Sequence, residues 1–280
     1  MKLVLFLLLA LAGSASAQNI LMKDGKTVAA KGLRRSGDQI IATVELPGGG
    51  GKTGDLGYPL AQIARLEFPR PPILDTAPDS IAKGQAAEVL TQLEPVVNYY
   101  APFRDAPGSW WGDSLLLKMQ TLVALGRDKD AEPLAEQLTR ASDPELARAG
   151  EVQLALNATR KGLTERVLEI AERALKESKW PSTRATASLV KGHCLLAKKE
   201  WDDALIAFLR VPVLYPQQKV LLPQSMLGAG RALFAMDDFV GAKETLNELI
   251  KQSGTLPEAE AAKAELEKIA RREKALAPPK

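Results

Sequence analysis

A pattern of small and large residues that recurs at a fixed interval constrains this chain more than any other feature in it. Gly192, Leu195, Trp201, Ala204 and Phe208 return 38 residues later as Gly230, Leu233, Phe239, Ala242 and Leu246. Self-similarity at such a period marks stacked supersecondary units, none of which can bury its apolar face alone. Gly192 and Ala204 are expected where the two antiparallel helices of a unit cross, because a large side chain would hold the backbones apart there. Phe208 should fill the space between one hairpin and the next. Pro216 should end the second helix, since proline fixes φ and removes a donor.

The segment G-H-C-L-L-A-K-K-E-W-D-D-A-L-I-A-F-L-R-V-P-V-L-Y-P resembles the tetratricopeptide (TPR) family. Compared with that family's repeat of about 34 residues, the additional residues fit a loop around Leu222-Pro223. An earlier unit is read at Leu122, Gly126 and Ala131. Ala131 and Ala204 are 73 residues apart, close to two repeat lengths, so a degenerate unit is expected near Ala149 to Leu175. A further helix is expected from Ala82 to Tyr100. The charged amphipathic stretch Pro257 to Ala275 has the polar outer face of a solenoid cap. The resemblance implies an all-α solenoid of four to five helix hairpins over residues 80–275, with 276–280 as a frayed tail.

The period changes before residue 80. Residues 18–70 read as β, with strands at Asn19 to Met22, Thr27 to Leu33, Gln39 to Leu46 and Ile63 to Phe68. Asp24-Gly25 and Ser36-Gly37-Asp38 supply turns, and Pro47 with four glycines breaks the chain. Short strands in so few residues suit a small closed or half-closed barrel, because closure removes exposed edges. The order of strands and turns resembles SH3-like and Sm-like barrels. Pro69, Pro71 and Pro72 read as a stiff linker over 71–79. The expected fold class is therefore α+β: an N-terminal β-barrel-like domain followed by helical repeats.

Residues 1–17 read as a cleavable signal peptide, with Lys2, an apolar run from Leu3 to Ala12 and the small-residue site Ala15-Ser16-Ala17. The run is too short to span a bilayer, and no cysteine follows it for lipid attachment. The mature chain is expected to be periplasmic or secreted, without a membrane span. Lys plus Arg exceed Asp plus Glu by only three, with no concentrated basic stripe, which argues against nucleic acid as a partner.

The residues offer little for catalysis, and no enzyme activity or cofactor is expected. Gly51-Lys52-Thr53 lacks the upstream glycine of a phosphate loop, where Leu46 stands. Gly54, Gly57 and Pro59 also exclude the helix that motif needs. His193 is the sole histidine and Cys194 the sole cysteine, too few partners for a triad or a metal centre. Asp202-Asp203 and Asp237-Asp238 suit helix termini. Asn157-Ala158-Thr159 fits a glycosylation acceptor but lies in a helical stretch. Trp110-Trp111 and Tyr99-Tyr100 suit packing at the first hairpin or the domain junction, with a binding anchor as the alternative.

In TPR-like solenoids the first helix of each hairpin lines a peptide-binding face. That resemblance implies a groove of Gln120, Val123, Leu189, His193, Leu196, Leu227, Arg231 and Phe234, mostly apolar, without the Lys/Asn set that clamps a terminal carboxylate. The implied function is a non-enzymatic scaffold of the bacterial envelope that binds another envelope protein or peptide. A second reading makes the β domain a cell-wall or glycan binder and the repeats a spacer. Self-association through the groove or the terminal helix stays open.

Overall fold

The computed structural model describes residues 18–46, 48, 50–159, 162, 165–254 and 256–276, so the expected signal peptide and residues 277–280 lie outside the described residues. The fold is α+β. Contacts divide it into two units: one holds the β-strands and residues 102–110, the other residues 71–101 and the chain from Trp111 onward.

The β unit contains β1 (Gln18–Met22), β2 (Thr27–Ala30), β3 (Gly32–Ser36), β4 (Gln39–Glu45), β5 (Thr53–Pro59) and β6 (Ile63–Glu67). They form two antiparallel three-stranded sheets, ordered β2-β1-β6 and β3-β4-β5. Alternation sets the inner face, with Ile40, Ala42 and Val44 of β4 turned to the core beside Ile20, Ile63 and Leu66. The strand expected from Thr27 to Leu33 is interrupted at Lys31, whose N–H donates to the Thr43 carbonyl at 2.8 Å and carries the chain from one sheet to the other.

Strand β5 was not expected, since Gly54, Gly57 and Pro59 are poor strand formers. It forms because β4 offers a full-length pairing edge, from Gln39 opposite Pro59 to Glu45 opposite Thr53. A Cβ added at Gly57 would come within 2.4 Å of the Gln39 side-chain oxygen, so that exposed side chain would have to turn aside.

No closed barrel is found among the described residues, because no ladder joins β6 to β5. The outer edge of β6 is covered differently. The segment 102–110, which the sequence assigns to the helical region, belongs to this unit. Its Pro107 carbonyl accepts from the Leu66 N–H at 2.7 Å, and Phe103 meets Phe68 edge-on at 5.1 Å. Trp110 Nε1 donates to the Phe68 carbonyl at 3.2 Å while Arg70 stacks 4.8 Å over its ring. Gly108 runs so close to β6 that a Cβ would sit 2.0 Å from the Leu66 carbonyl oxygen.

The helical unit contains α1 (Ile73–Ala82), α2 (Ala86–Tyr100), α3 (Trp111–Ala124), α4 (Asp128–Thr139), α5 (Pro144–Thr159), α6 (Glu165–Glu177), α7 (Pro181–Lys198), α8 (Trp201–Leu214), α9 (Leu222–Ala235), α10 (Phe239–Ser253) and α11 (Pro257–Leu276). Helix α1 replaces most of the expected linker. Pro71 and Pro72 precede its first turn, where a missing N–H costs nothing, and Leu74, Ala77 and Ile81 give it a buried face. Each helix packs on the next along the chain, and each odd-numbered helix also meets the following odd-numbered one.

Phe208 of α8 shows what the small residues are for. Its buried ring lies against Gly192 of α7 and Gly228 of α9, where added Cβ atoms would fall 2.7 and 2.4 Å from ring carbons. Four residues later, Pro212 cannot donate to the Phe208 carbonyl as a helix residue normally would. The buried Ser225 hydroxyl of α9 donates to that carbonyl instead, at 2.6 Å.

Candidate functional site

Side chains of the odd-numbered helices come together along one surface of the helical unit, in two adjoining parts. The first holds Gln120 and Val123 of α3 with Gln153 and Leu156 of α5, and the chain fills it with its own turn Lys219–Leu221. The remaining void of about 20 Å³ has room for about one water. Leu221 is buried in the same core as Leu156 and Ala229, and Lys219 Nζ meets Asp79 of α1 at 2.7 Å.

The second part is open. Thr159 of α5, His193 of α7, Gln224, Leu227 and Arg231 of α9, and Glu258 at the start of α11 wall a cleft of about 320 Å³. Gln224, Leu227 and Arg231 share a face because residues three and four apart on a helix are neighbours. Gln224 and Glu258 border both parts. Beneath the cleft, the His193 ring stands edge-on to Phe208 at 5.1 Å.

Arg231 is anchored: its Nε donates to Glu265 Oε1 at 2.8 Å, and Lys268 takes the other carboxylate oxygen at 3.0 Å. Glu265 is only 5% exposed. Burial alone drives its carboxyl up, but the hydrogen bonds from Lys268 and Arg231, with their charges, outweigh that and leave it below the usual glutamate range.

The structure thus gathers five of the eight groove residues expected from sequence. Gln120 and Val123 border the filled part, and His193, Leu227 and Arg231 border the open one. The other three are elsewhere. Leu189 is 0% exposed. Leu196 packs against the α5–α9 core, and Phe234 against the core of α9, α10 and α11. Their spacing does put them on the helix face of His193 and Arg231, but neighbouring apolar side chains pack over that face and keep them from bordering the cleft.

Among the described residues that border the open cleft, Leu227 is the lone aliphatic side chain. Sequence reasoning missed Thr159, Gln224 and Glu258. Gln224 was within reach, three residues before Leu227 on one helix face. Glu258 carried no such signal, because α11 read simply as a cap.

Other candidate residues have structural roles. Burial pushes the Cys194 thiol up to about 11, and the thiol is enclosed in the core. Asn157 is 6% exposed and its amide oxygen accepts from Gln153 at 3.3 Å, which leaves no room for a glycan. Asp238 caps α10 by accepting from the Gly241 N–H at 2.9 Å. Among the described residues, no group of three or more His, Cys, Asp or Glu is placed to hold a metal ion, and no helix is long and apolar enough to cross a membrane. Compared with known proteins, the chain matches no protein-family model and no curated protein.

Proposed function

We propose that the helical unit is a TPR-like solenoid that serves as a non-enzymatic scaffold of the cell envelope, holding an extended segment of another exported protein in the cleft at His193, Leu227 and Arg231. One observation carries this reading. Residues singled out by resemblance on two separate helices converge on one open cleft, beside a stretch of the same surface already occupied by chain. The packing of each odd-numbered helix on the next, with Phe208 seated between Gly192 and Gly228, supports the solenoid. The sequence of residues 1–17 supports export.

The full chain is the right object for a test, because residues 102–110 belong to the β unit and a cut at residue 70 divides that unit. A photo-crosslinking residue at Gln224 should yield a discrete adduct with a second exported protein in producing cells. The same residue at Glu244, exposed on α10, should not, and Leu227→Asp, at the border of the cleft and the α9–α11 core, should remove the adduct while leaving the circular dichroism of the purified protein unchanged. Equal yields from both positions would end the docking reading. Intact mass of the exported protein tests the leader: cleavage before Gln18 is expected.

A further inference from the structure

We infer that the open cleft selects a segment in which a lysine or arginine adjoins aliphatic residues, with Glu258 as the counter-ion. This inference rests on the docking reading above and specifies the chemistry of what docks.

Charge is the first argument. Glu258 borders the cleft, and its carboxylate has no ion-pair or hydrogen-bond partner among the described residues. The N-terminal dipole of α11 favours a carboxylate at this position but leaves its charge in place. Arg231, the cation across the cleft, is already engaged by the buried Glu265. Among the described residues, the charged group left unmatched in this cleft is an anion, and the complementary occupant is a cation.

The second argument comes from the adjoining part of the same surface. There the occupant is known, because it is the chain itself: Lys219, Val220 and Leu221, a cation followed by two aliphatic residues. Its lysine is held by a carboxylate, Asp79, at 2.7 Å. The open part shares Gln224 and Glu258 with the filled one and holds no segment of chain among the described residues. Glu258 offers a carboxylate at their shared border, and the edge of Leu227, which is 8% exposed in the α9–α11 core, offers aliphatic contact. Gln224 adds an amide with no partner among the described residues, suited to donate to and accept from the backbone of an extended segment.

The test pans a random heptapeptide library displayed on phage against the full mature chain. Affinities of the recovered peptides are then measured by fluorescence anisotropy on the wild type, Glu258→Gln, Glu258→Lys and Leu227→Asp. Circular dichroism of each variant checks that it folds. The expected consensus places Lys or Arg beside Val, Leu or Ile. Glu258→Gln should weaken binding by about tenfold, as for loss of a charge-assisted contact, and Glu258→Lys should weaken it further. A peptide with its lysine changed to glutamate should recover affinity on Glu258→Lys. Peptides that lose binding on Leu227→Asp but are acidic, or indifferent to Glu258→Gln, overturn the cation assignment and leave the docking reading standing. Recovery of no peptide sensitive to Leu227→Asp sinks both.

Discussion

Phe208 makes demands on two neighbouring helices at once, because its ring occupies the space a Cβ would need at both Gly192 and Gly228. Overpacking a filled core costs about 1–3 kcal/mol, so Gly228→Ala should lower the urea midpoint by a corresponding amount. Phe208→Ala should cost about 3–5 kcal/mol. In the Phe208→Ala background, Gly228→Ala should become nearly neutral, since the ring it collides with is gone; an unchanged penalty would show that the glycine serves another purpose. Glu265 poses a different residue-scale question, that of sign. Its folded carboxyl titrates below the ordinary value of 4.5, so it adds stability above that value which is lost as the pH falls through the folded one. Glu265→Gln should therefore be less stable than the wild type at neutral pH. The two should converge in urea titrations as the pH drops below about 4.5.

Helix α8 contains a proline in its interior, and α9 compensates for it. Ser225→Ala would leave the Phe208 carbonyl buried without a donor, a loss of about 1–3 kcal/mol. A double-mutant cycle locates the cause: once Pro212→Ala restores a donor within α8, Ser225→Ala should cost clearly less. This bond could not be read from sequence, because it joins a carbonyl that every helix owns to a serine 17 residues away. What could be read was whatever depends on local period and on residue size. The alternation in β4, the spacing of Gly192, Ala204 and Phe208, and the terminal helix from Pro257 all belong there. Strand β5 was hidden, because its residues argue against a strand and only its partner makes it one. Helix α1 was hidden behind prolines that signal a linker unless the chain beyond them has a face to bury. Half of the open cleft was hidden for a related reason: Thr159, Gln224 and Glu258 are polar residues on three helices, and nothing in a linear chain says that they meet.

Across the helical unit, the contact between α1 and the turn before α9 joins residues 140 positions apart, Asp79 and Lys219. The ion pair is exposed and should contribute little, so Asp79→Ala should leave the melting temperature unchanged within error. Leu221, buried beside Leu156, should cost about 2–5 kcal/mol as Leu221→Ala and should also open the filled part of the surface, read as faster amide exchange at the end of α3. A large effect from Asp79→Ala with a small one from Leu221→Ala would reverse that order. The β unit is tied to the chain in its own way. Its core draws on a stretch that lies beyond two helices in sequence, so the chain enters it, leaves, returns for residues 102–110 and leaves again. A gene fragment ending after Arg70 would encode the strands but not the residues that shield β6, leaving its free edge ready to pair with other copies. Recombination that shuffles modules by cutting between them has no clean place to cut here, so the two units are bound to be inherited together.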